Sequence, residues 1–117
     1  MNEKNILLVD DEVLFCEMVQ EYLTCLGCNV TVAENGSRAY EQTRVKRFDL
    51  VLMDINMPKM DGIEAIRAMR ERQPRIPIIL MSGDMDHRKI NEALSQGATA
   101  FLKKPFALEE LQPLVAS

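Results

Sequence analysis

Long apolar runs are missing from this sequence. None approaches the roughly 20 residues that a membrane-spanning helix needs, and the N-terminal MNEKN carries no apolar signal-peptide core. A cytoplasmic protein without membrane contact is expected. Cysteine is scarce and odd in number, at three, which builds no disulfide framework and favours a reducing compartment. Cys25 and Cys28 form one C-x-x-C, but no second pair exists and histidine occurs once, so a four-ligand zinc site is not expected. The pair follows the periodic apolar stretch Phe15, Met18, Val19, Tyr22, Leu26, with Gly27 as the helix stop. That is the wrong helix end for lowering a thiol pKa, and packing cysteines are expected. His87, between Asp86 and Arg88, reads as a solvated residue. The net charge of -4 and pI near 5.0 argue against a nucleic-acid surface. The short basic run Arg44, Lys46, Arg47 reads as a solvated face. No Ser/Gly/Pro-rich linker, repeat or low-complexity segment breaks the 117 residues, so residues 1–117 form one expected domain.

What is present is regular alternation. Near-continuous apolar runs at 5–9, 29–33, 49–53, 77–81 and 99–102 predict strands covered on both faces, as in a parallel sheet. Helical patterns near 12–26, 37–46, 62–72, 86–96 and 107–115 lie between and after them. Gly27, Pro74 and Gly97 mark three helix ends, and Asp61 with Glu64 forms a capping-box pattern. Pro113 is expected to kink or end the last helix. Met18, Met53, Met69 and Met81 are expected in the core, and Met57 and Met60 in loop packing around Pro58. Five β-α units predict an α/β doubly wound domain with a five-stranded parallel sheet. Ligands of such sheets bind at the carboxyl ends of the strands.

Those ends carry the chemistry. Asp10, Asp11 and Glu12 follow the first strand, Asp54 the third, Ser82 and Gly83 the fourth, and Lys103, Lys104 and Pro105 the fifth. The second strand ends in Ala33 and Glu34, with no comparable signal. Each group alone has a plain reading: a helix cap, a turn, a solvated loop charge. Together they do not. Two carboxylates about 4 Å apart repel by about 1 kcal/mol in water and about 4 at an effective dielectric of 20. A divalent cation resolves that conflict. Oxygen ligands without His or Cys suit Mg²⁺ rather than zinc, and Mg²⁺ with open positions usually attends phosphate chemistry. Lys104 offers a point charge to a phosphoryl oxygen, and Ser82 and the Gly83 N–H offer donors. No Gly-x-x-x-x-Gly-Lys loop is present to hold ATP. A carboxylate nucleophile remains, and Asp54 suits it best, on a third strand expected beside the first.

LLVDDE, LVLMDINMPKMDGIE, IPIILMSGD and QGATAFLKKPF, in this order, resemble the response-regulator receiver domain of two-component signalling, over essentially the whole chain. The resemblance implies a flavodoxin-like (βα)5 fold with strand order 2-1-3-4-5. It implies that Asp54 is the phosphoacceptor. Asp11 would ligate Mg²⁺ directly, Asp10 largely through water, with the backbone carbonyl of Asn56 completing the set. Lys104 would pair with Asp54 and then with the phosphoryl group. Ser82 and Phe101 would form the switch, and the Lys104–Pro105 peptide is often cis in the family. Glu12 receives no such role and is expected to start the first helix. Asn56 and Asp84 resemble positions that tune phosphoryl lifetime. Ser82 replaces a more usual Thr and keeps the hydroxyl; Phe101 replaces a frequent Tyr and has no hydroxyl to show a partner.

The implied partners are a sensor histidine kinase or phosphotransfer protein and an output domain or downstream protein. A phosphorylation-dependent homodimer is a further implied form. The implied activity is a signalling switch rather than an enzyme, catalysing only its own phosphorylation and slow dephosphorylation. Two other readings remain: a pseudo-receiver scaffold without phosphorylation, and an Asp-nucleophile phosphohydrolase, whose D-x-D-x-[TV] motif is absent. The sequence does not choose between a single-domain regulator and a receiver from a longer one.

Overall fold

The computed structural model describes residues 3–56, 62–83 and 87–116. Strands β1 (Asn5–Val9), β2 (Asn29–Ala33), β3 (Leu50–Asp54), β4 (Ile78–Ser82) and β5 (Ala100–Lys103) alternate with helices α1 (Val13–Cys25), α2 (Gly36–Val45), α3 (Gly62–Arg72) and α4 (His87–Ser95). A 3-10 turn, Leu108–Leu111, leads into α5 (Gln112–Ala116). All strand pairs are parallel, in the order β2-β1-β3-β4-β5. This is the flavodoxin-like doubly wound fold the sequence implied.

The apolar runs of β1, β3 and β4 are continuous because successive residues serve two cores. Leu7, Val9, Val51, Met53, Ile78 and Leu80 face Ile66 and Met69 of α3 and Ile90 of α4. Ile6, Leu8, Leu50, Leu52, Ile79 and Met81 face Val19 and Leu23 of α1 and Leu111 and Val115 at the C-terminal end. Side chains alternate across a strand, so both helical layers require apolar contacts from the same strand. Among the described residues no helix is long and apolar enough to cross a membrane.

Several expectations shift. β3 and β4 begin one residue later than predicted. Pro77 has no N–H to add to the ladder, though its carbonyl accepts from Val51. Pairing instead extends at the other end, where Asp54 lies opposite Met81 and Ser82 opposite Lys103. Met18 is 49% exposed rather than core. The buried stripe of α1 is Cys16, Val19 and Leu23, and Met18 lies about 100° off Val19 on the helical wheel. Cys25 is exposed, and only Cys16 and Cys28 are packed. Pro113 does not end the last helix. It sits in the first turn of α5, where a missing N–H costs no helical bond. The helix α2 has an N-cap the sequence reading passed over: the Asn35 side chain accepts from the Arg38 N–H at 2.9 Å. Asp61, Asp84, Asp86, Met57, Pro58 and Met60 lie outside the described residues.

The predicted stops Gly27 and Gly97 have φ of 90° and 121°, a region that L side chains avoid. Gly97 is also pinned. Arg70 donates to the carbonyls of Pro74, Ile76 and Gly97, tying the α3–β4 loop to the α4–β5 turn. Three carbonyls share one guanidinium, and bonds to a charged donor are each worth about 1.5–3 kcal/mol. Arg70→Met should therefore lower unfolding free energy by about 2–4 kcal/mol in urea titrations. A change under about 0.5 kcal/mol would show that water replaces the clamp without loss.

Candidate functional site: a lysine-bridged carboxylate cleft

The parallel register brings the carboxyl ends of β1, β3, β4 and β5 to one edge. Asp10 follows β1, with its N–H on the Ala33 carbonyl at 3.1 Å. Asp54 and Ser82 are the last residues of β3 and β4. Lys104 follows β5 and is fixed by its own N–H on the Ser82 carbonyl at 2.8 Å. The Lys104–Pro105 peptide is cis.

Asp10 and Asp54 are 2% and 6% exposed, and unpaired charges at such depth would be costly. Every one of their oxygens is satisfied. Asp10 Oδ1 accepts from the Glu12 N–H at 2.9 Å and Oδ2 from Lys104 Nζ at 2.7 Å. Asp54 Oδ1 accepts from the Asn56 N–H at 2.8 Å and Oδ2 from Lys104 Nζ at 3.3 Å. One ammonium thus bridges two carboxylates 94 and 50 residues away in sequence. Partial burial pulls the Lys104 pKa down, but the hydrogen bond and charge of Asp10, then those of Asp54, outweigh it, and the net shift is upward. The lysine stays charged through neutral pH. The Ser82 side chain is fully buried, and its hydroxyl donates to Asn56 Oδ1. The Cys16 thiol, 3.5 Å from the Asp10 carbonyl, is pushed up to about 11 by burial and then by the charge of Asp10. It is a packed, protonated group rather than a nucleophile.

The cleft above these groups holds about 430 Å³ and is lined by Asp11, Glu12, Asp54, Asn56, Gly83 and Lys104. Asp11 is exposed at its rim. The carboxylates whose oxygens gather within 4.8 Å of one another are Asp10, Glu12 and Asp54. Glu12 stands at the N-cap position of α1, as expected, without a side-chain capping bond, and its Oε1 lies 3.8 Å from Lys104 Nζ. Phe101 is half-buried against the α3/α4-side core.

Phe15 was legible only as a helical apolar residue. The structure puts Lys104 Nζ 4.1 Å from its ring centroid, within cation–π range. Phe106, just past the cis peptide, meets Phe15 edge-on at 5.9 Å and 88°. The available signal was spacing: Phe15 is one helical turn after Glu12 and so faces the same edge.

A doubly wound sheet with this strand order, and carboxylates and a lysine gathered at its carboxyl edge, defines the class of flavodoxin-like α/β domains with an acidic site at the strand ends. The family model described as the response regulator receiver domain matches residues 6–116, and the chain belongs to that family. The transcriptional regulatory protein ZraR of Klebsiella oxytoca is 41% identical over 108 residues, covering 92% of this chain and 24% of that protein. The regulator CrdR of Helicobacter pylori is 37% identical, covering 94% and 52%. The chain therefore spans a quarter to a half of these curated relatives. Among solved structures, the chemotaxis protein CheY4 of Vibrio cholerae aligns with a TM-score of 0.90 at 32% identity, over 97% of both chains. The receiver domain of sensor histidine kinase PA1611 of Pseudomonas aeruginosa aligns with a TM-score of 0.86 at 31% identity, over 97% and 94%. That structure is described with a magnesium ion coordinated in its active site cleft.

Proposed function

We propose that this receiver domain is a phosphorylation-controlled switch in which Asp54 takes a phosphoryl group from a phosphohistidine of a sensor kinase or phosphotransfer protein. The observation that carries the reading is the Lys104 ammonium held between Asp10 and Asp54 at the floor of an open cleft. An Asp54 oxygen would attack phosphorus as the bond to the imidazole nitrogen breaks. Catalysis of this kind is positioning plus charge neutralisation. Lys104 would follow the charge from the carboxylate to the phosphoryl oxygens. The Ser82 hydroxyl would leave Asn56 for the same group, and Phe101 would turn further into the space so opened. The resulting change on the α4–β5–α5 face would control an output domain, a downstream protein or a homodimer in the cytoplasm, provided the partner binds the two states unequally.

The donor set fits Mg²⁺. It is all oxygen, acidic and open to water on one side. Asp10, Asp11 and Asp54, with the Asn56 carbonyl, would hold the ion, which supplies positive charge for the transferring group. Because Glu12 rather than Asp11 lies within the gathered carboxylates, the two can be separated by titration. Asp11→Ala should weaken Mg²⁺ binding at least about tenfold and Glu12→Ala only about twofold. The reverse order would transfer the ligand role to Glu12.

Acetyl phosphate with Mg²⁺ should give one phosphoryl adduct by intact mass spectrometry, and none without the metal. No adduct at all would favour the scaffold reading, and rapid turnover of unrelated phosphate esters the phosphohydrolase. Phe15 acts in this scheme by positioning. A partly desolvated cation–π contact is worth about 1 kcal/mol. Phe15→Leu should slow adduct formation about fivefold, and Phe15→Tyr should restore it. Equal rates for Leu and Tyr would assign Phe15 to packing alone.

A further inference from the structure

The opposite edge of the sheet carries a second charged feature. The basic run at the end of α2 reads from sequence as a solvated face, but the fold adds cations from elsewhere. A groove of about 430 Å³ runs between the α2–β3 and α3–β4 loops, with Arg47, Arg72 and Arg75 on its walls and Phe48 and Ile76 at its floor. An adjoining hollow shares Arg47 and Arg72 and adds Arg44 and Lys46.

These cations are mostly not held by carboxylates. Among the described residues, Arg47 and Arg75 make no ion pair. Arg72 lies 6.0 Å from the Tyr40 ring centroid and Lys46 lies 5.8 Å from that of Phe48. Arg44 alone is paired, with Glu41 at 3.4 Å. The one acid in the groove, Asp49, already accepts from the Asn5 N–H through Oδ2 at 2.7 Å.

The plain explanation is dipole compensation, since α2 and α3 both end here. Its size falls short. Each helix end is worth about half a negative charge. Five cations set against Asp49, Glu41 and two helix ends leave about two positive charges, on a chain whose net charge is -4. The walls are also fixed in place. The Gln73 side chain donates to the carbonyls of Thr43 and Lys46, at 3.1 and 2.9 Å, and accepts from the Phe48 N–H at 3.2 Å. One residue of the α3–β4 loop thereby locks the α2–β3 loop against it, and Pro74 and Pro77 stiffen its far side.

We infer that this groove is a binding site for a compact, multiply charged phosphoanion. Three guanidiniums in a prebuilt groove match tetrahedral oxyanions through paired N–H donors. The volume suits a small ligand. Phe48, the one aromatic residue lining the groove, is buried and offers no open face for stacking a base, so the phosphates themselves are the recognised part. The site is separate from Asp54, and its existence does not depend on that residue's role.

Pyrophosphate is the probe. It should be titrated into the intact chain with EDTA, at ionic strength fixed with chloride, and followed by amide and arginine Nε–H NMR signals. Saturable shifts should appear at Arg47, Arg72 and Arg75 and not at Asp54, Ser82 or Lys104. The double variant R47Q/R75Q, at exposed positions, should keep the melting temperature and weaken binding at least about tenfold. Unsaturable shifts, or equal affinity in the variant, would reduce the groove to a diffusely solvated face. A poly-glutamate peptide binding there more tightly than pyrophosphate would overturn the ligand class in favour of an acidic protein segment.

Discussion

Asp54→Asn should form no phosphoryl adduct from acetyl phosphate and Mg²⁺ under conditions that label the unsubstituted protein. An amide offers no anionic oxygen to phosphorus, and no neighbour replaces it. Asp10 is 2% exposed and does not line the cleft, whereas Asp54 does. Asp11 and Glu12 are exposed, outside the buried position where a lysine and a metal would act on the same group. The fold should survive. Asn keeps an oxygen for the Asn56 N–H, and the change removes one of three carboxylates around Lys104, so stability should stay within about 1 kcal/mol. Labelling at the unsubstituted level would move the acceptor to another carboxylate and undo the proposed function.

Lys104→Met should slow adduct formation about 10²–10³-fold, the usual loss when one preorganised electrostatic donor is removed from a site of charge development. The Met side chain keeps an apolar stem against Phe15 but leaves Asp10 and Asp54 facing each other without the bridging ammonium. Breaking a buried pair costs about 3–5 kcal/mol; the cleft is open to water, so about 1–3 is expected here. Mg²⁺ should recover more stability in this variant than in the parent, because an ion that binds only the folded state stabilises it by mass action. Lys104→Arg restores charge with a larger planar head and should recover little of the rate. Initial rates within about threefold of the parent for Lys104→Met would remove the lysine from the mechanism.

Much of this was legible because the relevant signals are local. The apolar runs of β1, β3 and β4 are continuous because each strand is buried on both faces, and that gave the parallel sheet. The stops at Gly27 and Gly97 were readable because positive φ selects glycine. Asp10, Asp54, Ser82 and Lys104 could be grouped because strand ends share an edge. Met18 and Cys25 were misplaced because periodicity locates a helical stripe only to within about a residue, and one residue is about 100° on the wheel. Pro113 was misread because a proline's effect depends on whether it falls in a first turn or an interior one.

Sequence by itself determined the alternation of elements, the doubly wound class and which chemical groups stand at the strand ends. Those follow from side-chain period, backbone propensity and covalent order. Only the tertiary structure decided that Lys104 bridges Asp10 and Asp54 while resting on Phe15. It alone showed Glu12 closer to the gathered carboxylates than Asp11, and Arg72 and Arg75 joining Arg47 across a groove. Each of these is a contact between loops far apart in the chain. Such contacts are set by the register of the sheet and the packing of helices on it, to within an ångström or two, and no local pattern carries that information.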